Sequence, residues 1–401
     1  MKPMKIGVLG AGSFGNCFIP LFKAHPLVSE VCIAEKMPDR RNKTVEKHGL
    51  REAYESLDEL CESSVDAIAI FSQRWKHGPQ AVQALNAGKH VYSAVPAAIT
   101  LEELDALVKA VERTGLTYAM GETSYYYPEA VYCRNKFRKG AFGRVVYAEA
   151  EYYHDMEHGF YGPYQGSNGE EWKRFASFPP MLYPSHSVGF VLSITGSHMT
   201  HVSCLGLTDD HEDGIFREDV SHWGNAFSNE SALMQAADGT MCRINEFRRT
   251  AASGVRLRLY GTRACFEEQT GAKSWTTHDR TTEDVTGLLK CRPLEKPEDW
   301  EAARKQGAQE DFYSGLAPVH DGTRLPAEFN GLKNGHNGSH QFLVDDFVQA
   351  VAEGTTPPVN VWTAARYCAP GIVAHESAKK DGERLAIPDF GEPRGARGVA
   401  H

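Results

Sequence analysis

Three glycines near the start of the chain have the spacing of a dinucleotide-binding turn. Gly10, Gly12 and Gly15 follow an apolar, strand-like run and precede a segment of helical spacing. In this pattern the first glycine permits a tight turn, and the second lets backbone N–H groups approach a pyrophosphate at the positive end of the helix dipole. The third allows the helix to pack closely on the strand. The sequence therefore predicts a bound dinucleotide, the alternative being a glycine turn without a nucleotide.

An acidic residue after the second strand selects between the two nicotinamide cofactors. Glu35 stands 20 positions after the last of these glycines, suited to accept hydrogen bonds from both ribose hydroxyls and to repel a 2′-phosphate. NAD is therefore favoured over NADP, although Arg40 and Arg41 lie close enough to keep the NADP alternative open. The turn residues Ser13 and Phe14 complete this part of the predicted cofactor site.

Further candidate cofactor contacts follow the later strands, because ligands bind at the carboxyl ends of a parallel sheet. Glu122 is either a cofactor or substrate contact or a salt-bridged loop acid. His77 either touches the nicotinamide ribose or caps a helix. Trp75 either stacks on the adenine or the sugar or packs in a lid. We include Ser72 and Pro96 in the same candidate set.

A tyrosine and a histidine stand three residues apart in the second half of the chain. At this spacing Tyr183 and His186 share one face of a helical turn, with both polar tips directed into one cleft. Histidine titrates near neutral pH and suits a proton shuttle. Tyrosine has an ordinary pKa of about 10 and needs tuning by a desolvating cleft. On the residues alone, a hydrogen-bonded core pair is favoured.

Other polar groups have simpler explanations. Residues 125–127, all tyrosines, suit the C–H surface of a sugar, but packing between domains is favoured for them. Asn245 and Arg249 share a strand face suited to an anionic substituent, yet for them and for Arg248 surface charge is favoured. A cluster with metal-binding side chains follows a strand: His154, Asp155, Glu157 and His158. No second cluster has matching spacing, so we predict no metal.

Composition restricts the class of protein. A length of 401 residues suggests two domains, and 41% hydrophobic and 24% charged residues are ordinary for a globular chain. A net charge of −9 argues against a nucleic-acid partner. No apolar run is long enough to span a membrane, and the N-terminus resembles no leader peptide. Nine scattered cysteines without a CxxC pair are typical of reduced thiols, so we expect a cytoplasmic protein.

The elements that position these residues fall into two domains. Up to about residue 120, short apolar runs alternate with helical patterns, which is typical of βαβ units. The predicted strands are 5–9, 31–34, 66–71, 89–92 and 116–120, and the predicted helices are 16–24, 77–87 and 101–113. Gly88 should terminate the second of these helices, and Thr100 with Glu103 should form a capping box for the third. We predict a Rossmann doubly wound parallel sheet over residues 1–124.

Beyond residue 125 the alternation stops and strands follow in series. The predicted strands are 144–153, 200–207, 230–236, 241–247, 256–260 and 264–268, and the predicted helices are 128–139, 342–351 and a short one at 299–305. We expect an α+β domain with an open, mostly antiparallel sheet over residues 125–390, followed by a tail at 391–401. Residues 269–338 otherwise show no sustained periodicity, and a long irregular stretch of this kind is usually functional or interfacial.

This layout and its motifs resemble the Gfo/Idh/MocA oxidoreductase family. The matching segments cover much of the chain: GVLGAGSFG (7–15), DAIAIFSQRWKHGPQAVQALNAGKHVYSAVPAAIT (66–100), RLYGTRACFE (258–267) and HQFLVDDFVQAV (340–351). The resemblance implies a bound nicotinamide that faces a sugar or cyclitol at the cleft between the domains. It also implies a homo-dimer or tetramer built through the second sheet.

Two departures from the family pattern are informative. Ordinary members carry Glu-Lys-Pro, whose lysine helps to deprotonate the hydroxyl being oxidised, whereas this chain has Ala94-Val95-Pro96 and leaves that role empty. Ordinary members also place aspartates four residues before and three residues after a histidine. Around His186 those positions hold Leu182 and Gly189.

Both departures resemble glycoside hydrolase family 109, a branch of the same fold. Val95-Pro96-Ala97-Ala98 is similar to the branch's Val-Pro-Ala-Ala segment, and residues 183–186 are similar to its Tyr-Pro-Thr-His motif, with Ser185 in place of threonine. Ala94 occupies a position that is commonly glutamate. The resemblance implies that Tyr183 and His186 are the catalytic pair, which reverses the preference for a core pair.

The branch implies redox-neutral glycoside cleavage with NAD as a recycled cofactor. In that reaction a hydride leaves the sugar C3, a base removes the C2 proton, the aglycone is eliminated, water adds, and the hydride returns. Two alternatives stay open. One is a sugar or cyclitol dehydrogenase in which Tyr183 or His186 replaces the lysine, and the other is a non-catalytic NAD-binding sensor.

Overall fold

The computed structural model describes residues 3–159, 161–305 and 310–393, which form two compact units. The first unit contains the described residues up to Tyr127 together with Cys291–Ala365. The second contains Pro128–Lys290 and Arg366–Asp389. The segment 291–365, which we assigned to the second domain, therefore packs with the first. Most of the predicted tail, from residue 394 onward, lies outside the described residues.

A parallel sheet of six strands forms the centre of the first unit. The strands are β1 (Met4–Leu9), β2 (Val28–Ala34), β3 (Ala53–Tyr54), β4 (Ala67–Ile70), β5 (His90–Ser93) and β6 (Tyr118–Met120). Their order across the sheet is β3-β2-β1-β4-β5-β6, with every neighbouring pair parallel. This is the Rossmann order, which reverses between β1 and β4 and creates a ligand-binding crevice at the carboxyl ends of the strands. The predicted doubly wound sheet is confirmed, with β3 as a strand that the sequence pattern did not reveal.

Five helices connect these strands. They are α1 (Ser13–Ala24), α2 (Pro38–His48), α3 (Leu57–Glu62), α4 (His77–Asn86) and α5 (Leu101–Thr114). The Thr100 hydroxyl accepts a hydrogen bond from the Glu103 N–H at 3.1 Å, and the Glu103 carboxylate accepts one from the Ile99 N–H at 3.1 Å. The predicted capping box is thus present, with its return bond one residue before the cap. Gly88, at φ +79°, follows α4 as predicted.

A nine-stranded mixed sheet dominates the second unit. Its strands are β7 (Val145–His154), β8 (Met199–Thr208), β9 (Phe227–Ala236), β10 (Met241–Phe247), β11 (Ser253–Gly261), β12 (Ala264–Gln269), β13 (Ala272–Thr277), β14 (Thr282–Asp284) and β15 (Leu385–Ala386). Their order is β14-β13-β12-β11-β7-β10-β9-β8-β15. Only β7 and β10 among the paired strands run parallel, so the expectation of a mostly antiparallel sheet is confirmed.

Helices contact this sheet along several of its strands. The helices of this part of the chain are α6 (Pro128–Arg138), α7 (Tyr161–Asn168), α8 (Trp172–Ala176), α9 (Ser185–Thr195) and α10 (Thr286–Leu289). The residues of α9 from Ser185 to Ile194 are buried, and this helix contacts β7, β10 and β11. It therefore forms the link between the motif at residues 183–186 and the sheet.

The packing of a later helix explains why residues 291–365 belong to the first unit. They include α11 (Trp300–Lys305), α12 (His340–Glu353) and α13 (Val361–Ala378). Val344 and Phe347 of α12 are fully buried in one core cluster with Phe18 and Phe22 of α1. Because this burial joins segments more than 300 residues apart, no local pattern in the sequence predicts it. In the part of the chain that the structure describes, no helix combines the length and apolarity needed to span a bilayer.

Candidate functional site

The glycine turn joins β1 to α1, and its three glycines have different roles. Gly10 has φ +95°, and a Cβ there would lie 2.8 Å from the Phe71 carbonyl oxygen. A Cβ at Gly15 would lie 2.6 Å from the Gly10 carbonyl oxygen, which explains the close approach of α1 to the strand. At Gly12 a Cβ would meet no heavy atom within 4 Å. The backbone is thus open where a pyrophosphate would approach, and the turn fits a dinucleotide.

The open space at Gly12 leads to a direct prediction. Gly12 has φ −64°, so alanine fits its backbone without strain, and Gly12→Ala should unfold at the wild-type temperature. If a pyrophosphate approaches the turn at this point, the added methyl group should weaken NAD binding by about tenfold, a loss of about 1.4 kcal/mol. Titration calorimetry with NAD and a thermal melt check both values. Unchanged NAD affinity in a normally folded variant would contradict the pyrophosphate position.

Ser13 and Phe14 begin α1. Ser13 is exposed, and the first-turn N–H groups of a helix lack acceptors within the helix. The Phe14 ring packs edge-on against Phe18 at 5.0 Å and against Phe71 at 5.7 Å. The Phe14 side chain thus packs against the core, and its cofactor contact stays a prediction.

Glu35 lies at the end of β2, directly beside the glycine turn. It is only 6% exposed, and its carboxylate accepts hydrogen bonds from the Ala11 N–H and the Met37 N–H, both at 3.0 Å. Arg40 Nη1 lies 3.7 Å from the carboxylate, whereas Arg41 donates to the Glu35 carbonyl oxygen and pairs with Glu55. The acidic group is therefore held at the position that the sequence predicts for a ribose contact.

His77 joins two loops rather than extending into open space. It is 1% exposed and begins α4, and its ring nitrogens lie 3.0 Å from the Pro96 carbonyl oxygen and 3.1 Å from the Ser72 carbonyl oxygen. Burial lowers the pKa of His77 to about 4, so the ring is neutral. The ring is therefore oriented toward carbonyl groups, the N-cap position of α4 is Lys76, and the ribose contact of His77 stays a prediction. His77 positions the loops that carry Ser72 and Pro96.

The remaining candidates of the first unit lie at the ends of its strands. The Ser72 hydroxyl donates to the Gln80 side chain, and Trp75 lies half-buried in a 3-10 turn before α4. Pro96 follows Val95 in a cis peptide bond. Glu122 is fully buried after β6, and its carboxylate accepts a hydrogen bond from the Ser124 N–H at 2.9 Å. Their contacts with a cofactor stay predictions.

Tyr183 and His186 lie side by side in the second unit. Tyr183 follows a 3-10 turn (Pro180–Leu182), and His186 lies in the first turn of α9. Their rings meet edge-on with centroids 5.2 Å apart, and they are 8% and 5% exposed. The predicted proximity is present, although it arises where a turn meets a helix rather than on one helical face. Their catalytic role stays a prediction.

A ring that the sequence analysis did not consider completes this group. Tyr152 of β7 lies 5.0 Å from the His186 ring and 5.9 Å from the Tyr183 ring, measured between centroids. The guanidinium carbon of Arg248 lies 5.0 Å from the Tyr152 ring centroid. Arg248 is 3% exposed, and Asn245 and Arg249 are also largely buried. Our expectation that these three residues supply surface charge is therefore wrong.

Arg249 is held by acidic partners. It pairs with Asp209 at 3.4 Å and with Asp213 at 2.5 Å, and it donates to the Tyr161 hydroxyl at 3.1 Å. These bonds join the end of β10 to the loop after β8 and to α7. Arg249 thus joins these segments, and two carboxylates already bind its guanidinium.

Two buried carboxylates lie beneath the same segment. Glu246 accepts a hydrogen bond from the Ser187 hydroxyl at 2.5 Å and pairs with Arg248 at 3.1 Å. Glu230 accepts hydrogen bonds from the Met181 N–H and from His375, both at 2.8 Å. Complete burial raises the pKa of Glu246 to about 8, against the opposing effect of Arg248 and the Ser187 hydroxyl.

The raised pKa of Glu246 makes the free energy of unfolding depend on pH. Between the ordinary pKa of 4.5 and about 8, the folded protein keeps a proton that the unfolded chain loses, so stability falls as pH rises. Glu246→Gln should remove this contribution, and its stability relative to wild type should improve by about 1.4 kcal/mol per pH unit across that window. Urea unfolding of both proteins between pH 5 and pH 8 measures the difference. Parallel pH curves would show that Glu246 titrates normally.

In the cluster of candidate metal ligands near residue 154, Asp155 instead forms hydrogen bonds within and next to a turn. Asp155 accepts hydrogen bonds from the Glu157 N–H at 2.8 Å and from the Thr250 N–H at 2.9 Å. His154 Nδ1 lies 3.3 Å from the Asp155 carbonyl oxygen, and the His158 side chain lies outside the described residues. Among the described residues, no three metal-binding side chains come close enough together to hold an ion.

The sequence analysis missed Tyr152, Glu230 and Glu246, although a local signal existed for the two acids. Glu246 follows Cys242 and Ile244 at alternate positions of β10, and all three are buried. Glu230 shares the buried face of β9 in the same way. An acidic residue on the apolar face of a strand indicates a buried partner, because an unpaired buried charge is costly.

Comparisons with known proteins bear on the family and the fold. A family model, GFO_IDH_MocA, described as an oxidoreductase family with an NAD-binding Rossmann fold, matches residues 4–122. A glycosyl hydrolase family 109 protein of Streptomyces filamentosus is 26% identical over 414 residues, covering 96% of this chain and 77% of that protein.

Solved structures share the fold over nearly the whole chain. The scyllo-inositol dehydrogenase of Lactobacillus casei, with bound NAD(H) and scyllo-inositol, has a TM-score of 0.67 at 16% identity, covering 96% of this chain and 99% of that one. Levoglucosan dehydrogenase, in complex with NADH and levoglucosan, has a TM-score of 0.71 at 16% identity, covering 96% and 99%. At this identity the likeness shows the fold.

The fold and the glycine turn define an NAD-binding Rossmann protein in which the Rossmann domain is followed by an open-sheet domain. Residues 4–122 match the Gfo/Idh/MocA oxidoreductase family, and over nearly its full length the chain is similar to glycosyl hydrolase family 109 proteins. The predicted resemblance to this family, the fold class and the NAD cofactor are thereby confirmed.

Proposed function

We propose that this protein is a carbohydrate-active enzyme that uses NAD to cleave glycosides without net oxidation or reduction. Similarity to a glycosyl hydrolase family 109 protein over 96% of the chain supports the reaction type. The observation that carries the proposal is the contact between Tyr183 and His186, a phenol and an imidazole whose rings lie 5.2 Å apart. These are two groups suited to proton transfer.

The first unit offers no titratable group where ordinary family members carry their lysine. Ala94, Val95, Ala97 and Ala98 are buried and apolar. A valine neither donates nor accepts a proton, so the proton transfers must fall to other residues. This supports Tyr183 and His186 in that role.

The residues would divide the work between cofactor binding and proton transfer. Gly10, Gly12, Gly15 and Glu35 would hold NAD, which when bound accepts a hydride from a sugar carbon and can return it. Tyr183 and His186 would transfer protons at three places: the sugar hydroxyl, the carbon beside the oxidised position and the leaving oxygen. His186 and Tyr183 are buried together, and exclusion of water there strengthens their electrostatic effect on substrate.

A panel of aryl glycosides tests the reaction. The purified protein with NAD should release the aryl group while absorbance at the NADH wavelength stays flat. Stoichiometric NADH with a free sugar, and no aryl release, would instead establish a dehydrogenase. Nucleotide binding with neither reaction would establish the sensor. Either result would overturn the glycosidase proposal.

The dehydrogenase is the second candidate because of its fold neighbours. The scyllo-inositol and levoglucosan dehydrogenases share the architecture of this chain over 96% of its length. In that case either Tyr183 or His186 would deprotonate the hydroxyl in place of the lysine. A cyclitol has no glycosidic bond, so NADH formation from scyllo-inositol separates the two reactions.

We also infer that the protein is cytoplasmic and homo-oligomeric. The nine cysteines, all within the described residues, form no disulfide, which supports a reducing compartment. Neighbouring strands of the second sheet present a set of exposed apolar side chains on one face: Leu205, Leu207, Leu233 and Met241. Their exposures of 59–64% are high for large apolar residues and support a subunit contact.

Replacing Leu233 tests that surface. Leu233 is 62% exposed at the centre of this face, so Leu233→Glu should leave the fold intact and shift the protein to a smaller oligomer in light scattering after gel filtration. Leu288 is 50% exposed on α10, outside the set, and Leu288→Glu is the matched control. An identical mass for both variants and the wild type would exclude the sheet face as the interface.

A further inference from the structure

The segment with the proposed catalytic pair is held by side chains of two sheet strands. The Ser187 hydroxyl, next to His186 in the chain, donates to Glu246 at 2.5 Å. The Met181 N–H, two residues before Tyr183, donates to Glu230 at 2.8 Å. Both carboxylates are fully buried. The segment is thus fixed on both sides of the pair by groups that do not belong to it.

Arg248 connects one of these carboxylates to the turn before Tyr183. Its Nη2 donates to Glu246 at 3.1 Å and to the Pro180 carbonyl oxygen at 3.4 Å. The same carbonyl oxygen accepts a hydrogen bond from the Tyr183 N–H at 3.0 Å. The Pro180 carbonyl oxygen therefore accepts hydrogen bonds both from Arg248 and from the backbone N–H of Tyr183. Any change in the arginine's position is transmitted directly to that turn.

Tyr152 provides a second contact between Arg248 and the proposed catalytic pair. Its ring lies 5.0 Å from the guanidinium carbon of Arg248 and 5.0 Å from the His186 ring. The Tyr183 ring lies 5.9 Å away. A planar guanidinium stacks well on an aromatic ring and holds its orientation. Tyr152 thus lies between a fixed, buried cation and the two rings whose direction matters.

We propose that Arg248 and Tyr152 are positioning residues that fix the mutual geometry of Tyr183 and His186. This inference rests on the proposed catalytic roles of that pair. Arg248 acts on the backbone through Pro180, and Tyr152 acts on the two rings through direct packing. Neither residue needs to touch substrate for this effect.

Rigid positioning matters because proton transfer depends steeply on geometry. A displacement of about 1 Å at a reacting group can lower a rate by about 100-fold. Side chains that are locked by packing and by buried hydrogen bonds meet this requirement better than groups on a free loop. A buried contact between a guanidinium and a carboxyl group contributes little net stability, so fixing the geometry of the segment is a sufficient reason for Arg248 and Glu246 to be present.

Two matched pairs of variants separate positioning from general stability. Tyr152→Phe keeps the ring, whereas Tyr152→Leu removes it from the same site. Arg248→Lys keeps the charge but loses the flat fork that reaches Glu246 and Pro180 together, and Arg249→Lys makes the same exchange at the adjacent arginine. Arg249 binds Asp209 and Asp213, away from the pair.

The kinetic result is a fall in kcat without a change in KM or in NAD affinity. Tyr152→Leu and Arg248→Lys should each lose between about 10- and 100-fold in kcat for aryl glycoside cleavage. Tyr152→Phe and Arg249→Lys should stay within about twofold of wild type. If Arg248→Lys fails to fold, the two Tyr152 variants still decide the question. Wild-type kcat in Tyr152→Leu, or an equal loss in Tyr152→Phe, would overturn the proposal.

Aromatic NMR distinguishes failure of this inference from failure of the proposed function. The nuclear Overhauser effects between the ring protons of Tyr183 and His186, assigned with Tyr183→Phe and His186→Gln, should change in Tyr152→Leu and Arg248→Lys but not in Arg249→Lys. This holds even if the wild type cleaves no glycoside and oxidises no sugar, in which case only the proposed function fails. Unchanged Overhauser effects in both variants of an active enzyme would overturn the positioning proposal alone.

Discussion

Replacing Tyr183 with phenylalanine should lower glycoside turnover by at least about 100-fold, the size of a lost general acid or base. The Tyr183 ring is 8% exposed and packs against His186 at 5.2 Å and Tyr152 at 5.9 Å. Phenylalanine keeps this packing and removes only the hydroxyl. The fold and NAD affinity should therefore stay at wild-type values, and the loss should appear in kcat.

His186→Ala should lose at least as much turnover, for the same reason. Alanine also leaves a cavity, since His186 is 5% exposed, so His186→Gln, which keeps a polar side chain of similar size, is the cleaner variant. Neither variant alters the glycine turn, and both should bind NAD normally in a calorimetric titration. If His186→Ala is less stable than wild type and His186→Gln is not, a loss of turnover that both variants share cannot be caused by the lower stability.

The control for both is a tyrosine elsewhere in the second unit. Tyr132 of α6 is 7% exposed and packs against Phe266 and Trp275. Tyr132→Phe makes the same chemical change without touching the pair, and its turnover should equal that of wild type. Near-wild-type turnover in both Tyr183→Phe and His186→Gln would remove the two residues from the mechanism. The similarity to family 109 would then describe the fold and cofactor only.

The first unit was predictable because its signals are local. An apolar strand, three glycines and an acidic residue at the next strand end each follow from short-range backbone geometry. Gly10 at φ +95° and the contact that excludes a Cβ at Gly15 are the physical reasons for that pattern. Glu35, held by the Ala11 N–H, is placed as the pattern predicts.

The buried arginines were misjudged because their partners are distant in sequence. Arg249 meets Asp209 and Asp213, about 40 residues earlier, across a loop whose course the local pattern does not reveal. Arg248 is buried by Tyr152, nearly 100 residues earlier, because β7 and β10 pair in parallel. Charge on a strand suggests solvent exposure until the partner strand is known.

Helix α13 was missed for a different reason. Most of its residues between Ala364 and Ala374 are buried, so the helix has no polar face to alternate with an apolar one. A helix that is buried all round shows no amphipathic period, and Pro370 inside it further weakens the helical signal. The same helix carries His375, whose bond to Glu230 only the fold reveals.

Glu35→Ala should weaken NAD binding by between about 10- and 100-fold, the range expected for lost hydrogen bonds to a charged group. It should also relax the preference for NAD over NADP, because the repulsion of a 2′-phosphate disappears with the carboxylate. Arg40, whose Nη1 lies 3.7 Å from that carboxylate, would then offer its charge to the phosphate. Titration of the variant with each nucleotide measures both effects.

Two further variants assign the cause. Glu35→Gln retains an oxygen that can accept the Ala11 N–H and so preserves the glycine turn, while removing the negative charge. It should therefore relax the NADP discrimination with a smaller loss of NAD affinity than Glu35→Ala. Adding Arg40→Ala to Glu35→Ala should reduce the gain in NADP affinity, because the guanidinium beside the Glu35 carboxylate is then removed, while Arg41 is paired with Glu55. If cofactor preference is the same in all of these proteins, Glu35 serves only to hold the Ala11 N–H and discrimination arises elsewhere.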